Sequence, residues 1–133
     1  TMKAVAYRDG RKCAEVVQKT ADAAYSVRLT VDRKEISLDN REHVFVTADI
    51  VDRKGTLVPM AGNMINFQVE GPYKLVGVEN GDIIDMNPHK VLYRNAFMGK
   101  ALLILQADGG TGTIKVGAES DGLKKGFAEI SVR

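Results

Sequence analysis

The chain has 133 residues, and 19 Lys and Arg against 17 Asp and Glu leave a formal net charge of +2. That length fits one domain with a short extra segment, the dispersed basic pairs argue against a nucleic-acid surface, and one Cys with two His excludes an intrachain disulfide and a cysteine zinc cluster. No apolar run approaches the ~20 residues of a membrane-spanning helix, and the opening Thr1-Met2-Lys3-Ala4 carries no apolar signal-peptide core.

Residues 3–7 and 12–19 read as two strand segments around Arg8-Asp9-Gly10-Arg11, a hairpin turn. The small, weakly patterned Thr20-Ala21-Asp22-Ala23-Ala24 that follows reads as a linker. From there on, alternation with a period of two dominates. Val27, Leu29 and Val31 share one face, as do Val44, Val46, Ala48 and Ile50. Asp52-Arg53-Lys54-Gly55 is a turn, and Ile65, Phe67 and Val69 form the next apolar face. A fainter strand covers residues 74–78, and residues 101–105 are apolar on both faces, as a central strand requires. Ile114, Val116 and Ala118, then Ala128, Ile130 and Val132, complete the series. No stretch keeps a helical period. About seven short strands with turns between them predict an all-β, immunoglobulin-like antiparallel β-sandwich over residues 22–133, preceded by a separate β-hairpin at residues 1–21.

Reactive chemistry is sparse. Asp108-Gly109-Gly110-Thr111-Gly112-Thr113 lacks the Lys-Ser/Thr ending of a phosphate loop and reads as a tight turn. Cys13 sits in a strand without a neighbouring base and reads as a small, partly buried apolar residue. Glu79-Asn80-Gly81-Asp82-Ile83-Ile84-Asp85 gathers three acids around a turn; a cation could take oxygen ligands there, but the spacing differs from a twelve-residue calcium loop, and a self-bonded acidic turn is the plainer reading. No acidic pair is marked as facing a common cleft, so no catalytic residue is assigned, and no cofactor or metal is expected. The chain has no Trp; among its tyrosines, Tyr73, beside Pro72 in a turn, and Tyr93, in a long connection, are the candidate platforms for a sugar ring.

The order of several segments carries a resemblance. Leu29-Thr30-Val31-Asp32-Arg33 comes first, then residues 44–52 leading to Gly55, Leu57-Val58-Pro59, and Ile65-Asn66-Phe67 followed by Val69-Glu70-Gly71-Pro72. Val76-Gly77-Val78-Glu79-Asn80-Gly81-Asp82, Arg94-Asn95-Ala96-Phe97-Met98-Gly99-Lys100, Gly112-Thr113-Ile114-Lys115-Val116 and Ser120-Asp121-Gly122-Leu123-Lys124 complete it. This stretch resembles the C-terminal immunoglobulin-like domain of glycoside hydrolase family 2 enzymes, the β-galactosidase-like proteins of Bacteroides-type bacteria. Residues 3–14 resemble the last hairpin of the preceding domain, and residues 83–92 depart from the family's pattern. The resemblance implies a non-catalytic module whose partners are the other domains of a periplasmic or extracellular enzyme, with the catalytic glutamates in an upstream barrel. A carbohydrate-binding module and an adhesin-type spacer are the alternative readings.

Overall fold

The computed structural model describes residues 1–38 and 42–133 and contains no helix among them. Eleven strands follow one another: β1 Met2–Arg8, β2 Arg11–Gln18, β3 Ser26–Val31, β4 Glu35–Ile36, β5 His43–Val51, β6 Met64–Glu70, β7 Tyr73–Glu79, β8 Tyr93–Asn95, β9 Lys100–Ala107, β10 Gly112–Glu119 and β11 Gly126–Val132. Strands β1 and β2 form a sheet of their own. The others make two facing sheets, ordered β4-β11-β10-β6-β8 and β3-β5-β9-β7. This is the expected immunoglobulin-like sandwich, with two strands more than the sequence suggested: β4 and β8 have two and three residues, too few to show alternation. Among the described residues the strand ladders are antiparallel except β4 with β11, which is parallel, as is the isolated bridge between Ser26 and Lys124.

The alternation places the core. Val44, Val46 and Ala48 on β5 lie opposite Leu105, Leu103 and Ala101 on β9, and all six are buried. From the other sheet Ile65, Phe67, Ile114, Val116, Ala118, Ile130 and Val132 point back at them, also buried. Burial of this interdigitating layer is the main favourable term of the fold. Leu102 and Ile104, on the second face of β9, are half-buried, as expected for a strand flanked on both sides.

The chain changes sheet between β6 and β7 within Gly71-Pro72. Gly71 has φ +106°, and a Cβ there would stand 2.2 Å from the Thr113 carbonyl oxygen. Only glycine meets both demands. The hairpin β1–β2 turns on Asp9 and Gly10, at φ +50° and +73°, which are the two positive values of a tight two-residue turn. Its carboxylate Glu15 is held by Lys3 across the strands and by Lys12. Met2, Tyr7 and Val16 on it are exposed.

Phe67 is 4% exposed, so Phe67→Ala should lower the unfolding free energy by about 3–5 kcal/mol. Urea denaturation followed by tyrosine fluorescence checks this, and an unchanged midpoint would mean the side chain is not held in the core.

Candidate functional site

The connection between β7 and β8, residues 80–92, carries both the acidic turn and the approach to Tyr93. Its local structure follows from short polar side chains bonding backbone N–H groups two residues on. Asn80 Oδ1 accepts from Asp82 N at 2.9 Å, Asp82 Oδ1 from Ile84 N at 3.1 Å, and Asp85 Oδ1 from Asn87 N at 2.8 Å. The acids therefore do not converge. Among the described residues no group of three His, Cys, Asp or Glu is placed to hold a metal ion.

Asp85 instead turns inward. Its Oδ2 lies 3.0 Å from Arg94 Nη1 and accepts from Asn80 Nδ2 at 2.7 Å. Among the described residues Arg94 is the largest fully buried side chain, 1% exposed. It is the middle residue of β8, opposite Ile65, and so takes the inward position that alternation assigns it. Its guanidinium donates to three carbonyls: Nη2 to Pro88 at 2.8 Å and Val78 at 3.1 Å, Nη1 to Asn87 at 3.3 Å. Nε has no hydrogen-bond partner among the described residues. The Asn87 backbone N–H, then Arg94, hold the Asp85 carboxyl well below the usual carboxylate range. Sequence reasoning missed this pair, because a lone Arg between Tyr93 and Asn95 reads as loop, and its partner lies nine positions away inside an acidic run.

The two candidate sugar platforms are placed apart. Tyr73 opens β7 in one sheet and is half-buried against the core, not in an exposed turn. Tyr93 opens β8 in the other sheet, paired opposite Asn66, and is 37% exposed; it belongs to a strand rather than to the long connection. Cys13 is exposed on β2 and donates to the Ala6 carbonyl at 3.4 Å. In the glycine-rich turn, Asp108 Oδ1 accepts from Gly110 N at 2.8 Å, which closes a turn between strands.

A further groove of about 460 Å³ lies where β3 begins, lined by Tyr25, Arg28, Asp52, Arg53, Lys124 and Phe127 among others. The Arg53 guanidinium stands 4.5 Å from the Tyr25 ring centroid and the Lys124 ammonium 5.3 Å, so cations already occupy the ring. A hydrogen bond with Lys124 lowers the Tyr25 hydroxyl pKa. Beside the groove, buried Asp49 bridges Arg28 Nη2 at 3.0 Å and Lys100 Nζ at 2.7 Å. Asp52 accepts from the backbone N–H groups of Asp22, Lys54 and Thr56, and these bonds, Asp22's first, depress its pKa. Glu119 is depressed chiefly by Lys125. Each carboxyl shift resolved is thus downward, whereas a general acid working near neutrality needs an upward one.

The sequence signature of the family described as glycoside hydrolase family 2 C-terminal domain 5 matches residues 27–129. A β-galactosidase of Bacteroides ovatus, BoGH2A, is 39% identical over 131 residues, which are 98% of this chain and 15% of that protein. The crystal structure of a β-glycosidase from Bacteroides vulgatus superposes with a TM-score of 0.93 at 29% identity, covering 98% of this chain and 17% of that one. The D00–D0 domain of intimin, at a TM-score of 0.59 and 19% identity, shares the fold alone. The chain belongs to the glycoside hydrolase family 2 C-terminal domain 5 family, and it spans less than a fifth of the length of these two Bacteroides relatives.

Removing one partner of a buried ion pair leaves the other charge uncompensated. Arg94→Met should therefore lower Tm by roughly 10 °C or more, read by calorimetry. The sign with pH follows from the depressed Asp85 pKa. Its contribution is present above the unfolded carboxyl's pKa, about 4, and is lost as pH falls below that value. Asp85→Asn should flatten the loss of Tm in acid; an acid profile identical to that of the unaltered chain would remove Asp85 from the account.

Proposed function

We propose that this chain is a non-catalytic accessory domain of a β-galactosidase-like glycoside hydrolase, and that the residues cleaving the glycosidic bond lie in a barrel elsewhere in the parent polypeptide. The observation that carries this reading is the share of the alignment: nearly all of this chain matches a small part of a β-galactosidase. The electrostatics support it. Asp49, Asp52, Asp85 and Glu119 are each engaged with cations or backbone donors. Of these, Asp52, Asp85 and Glu119 are lowered in pKa, the opposite of the raised carboxyl that acid catalysis of glycoside cleavage requires. The parent acts in the periplasm or outside the cell, as its resemblance to Bacteroides-type enzymes suggests.

Residues 1–21 belong, on this reading, to the end of the preceding domain. Their strands form a separate two-stranded sheet, and such a hairpin is marginal without a partner surface. The sandwich of residues 22–133 carries its own core. The carbohydrate-binding alternative, with Tyr73 and Tyr93 as contacts, would need the two rings to share a platform, and they stand in different sheets.

The 133-residue chain should show no turnover of chromogenic β-galactosides. Turnover that survives purification and disappears on changing one Asp or Glu of this chain would overturn the proposal. Deleting residues 1–21 should leave a cooperative thermal transition within a few degrees of the original, measured by circular dichroism; loss of cooperativity would mean that the hairpin completes the sandwich.

A further inference from the structure

At the end of the sandwich where β3, β6, β9 and β11 begin, three segments of the connections meet, residues 57–63, 80–87 and 96–99, while residues 52–56 and 120–125 at the same end carry the charges of Asp52, Arg53, Lys54, Asp121, Lys124 and Lys125. Backbone bonds tie the first to the third, Gly99 N to the Ala61 carbonyl at 3.0 Å and Ala96 N to the Asn63 carbonyl at 2.9 Å. Asn80 Nδ2, donating to the Asn95 carbonyl at 3.0 Å, ties in the second. Their tips are apolar and turned outward. Ile83 is 98% exposed, Met86 93%, Met60 92% and Ile84 77%. Phe97 and Met98 at the neighbouring turn are exposed as well. Residues 57–63 and 95–99 hold no charged side chain, in a chain that is 27% charged.

Such an exposed apolar cluster on a soluble domain marks an interaction surface. Its order strengthens that reading. The segment presenting Ile83, Ile84 and Met86 is pinned from inside by the buried Asp85–Arg94 pair. Conformational entropy is thus lost on folding and not again on association.

We propose that this apolar cluster is a preformed docking face for the other domains of the parent polypeptide. The inference rests on the accessory-domain reading and names the face. Two observations select the occupant. The matched relatives hold more than four fifths of their length outside this segment, 15% and 17% being covered. The polypeptide leading into the sandwich also arrives at this same end. There Asp22 N bonds Asp52 Oδ2 at 3.0 Å and Tyr25 N bonds the Val51 carbonyl at 2.9 Å, which brings the preceding residues beside the face. Apolar Met and Ile side chains suit an apolar protein surface better than a sugar, which needs fixed polar partners.

Hydroxyl-radical footprinting of the full-length parent and of the 133-residue chain, side by side, tests this. Met60, Ile83 and Met86 should be modified about tenfold more slowly in the parent, methionine being the most readily oxidised of them. Phe45, 41% exposed near the opposite end of the sandwich where β5 begins, is the reference. The double variant Ile83→Asp with Met86→Asp should restore modification of Met60 in the parent and leave the Tm of the isolated chain unchanged. Equal modification of Met60 and Met86 in both forms overturns the proposal. If protection then falls on another face, the accessory-domain reading survives; if it falls nowhere on the domain, that reading fails too. Protection that grows with the concentration of the isolated chain would make a second copy the occupant and would likewise overturn the proposal.

Discussion

A guanidinium buried in an apolar sandwich is costly unless its donors are met, and the arrangement around Arg94 turns that cost into the closure of the fold. Strands β7 and β8 are edges of opposite sheets. Between them the chain runs for residues 80–92 with no ladder of its own, so its carbonyls need other donors. Arg94 supplies them to Asn87 and Pro88, adds one to Val78 at the edge of the facing sheet, and is neutralised by Asp85. One side chain thereby joins both sheets and the segment that spans them. His89 extends the seal: its carbonyl accepts from Val78 N at 2.7 Å, and it faces Gly77, where a Cβ would come within 3.3 Å.

What could be read from the residues alone was whatever repeated. The faces of β5, β6, β10 and β11 follow from hydrophobic alternation, because each strand is long enough to show it, and β9 from its unbroken apolar run. Ile36 was invisible for the opposite reason. It is 1% exposed, yet it stands alone among Lys34, Glu35 and Ser37, and its strand is formed by pairing with residues almost a hundred positions later. Arg94 obeys the alternation, but a charge at an inward position argues against a strand until its partner is known. Tyr73 follows Pro72 and so reads as part of a turn; the abrupt change of sheet at Gly71 starts β7 two residues later and folds the ring against the core. In residues 79–85 the acids drew the chemical reading, while the two isoleucines between them carry the surface property of that segment.

The electrostatics of the domain are those of a scaffold. Asp49 sits between Arg28 and Lys100, and Asp52 collects three backbone donors to fix the turn after β5. These carboxylates are matched by neighbours that themselves need a counter-charge or an acceptor. Little is left over for a reacting group, in keeping with the accessory role proposed above.

The parallel pairing of β4 with β11 has a mechanical consequence. Residue 25 lies at the end where β3 begins, and β11 runs from that end to the opposite one, finishing at Val132. Tension between residue 25 and residue 133 therefore pulls along the strands, not across them. It loads the bonds from Ser131 N to the Lys34 carbonyl, from Arg133 N to the Ile36 carbonyl and from Leu38 N to the Arg133 carbonyl in shear. Bonds loaded this way share the force and must rupture together, whereas a ladder pulled at one end opens one rung at a time. The short strand that the sequence hid thus makes the sandwich a stiff strut along its long axis.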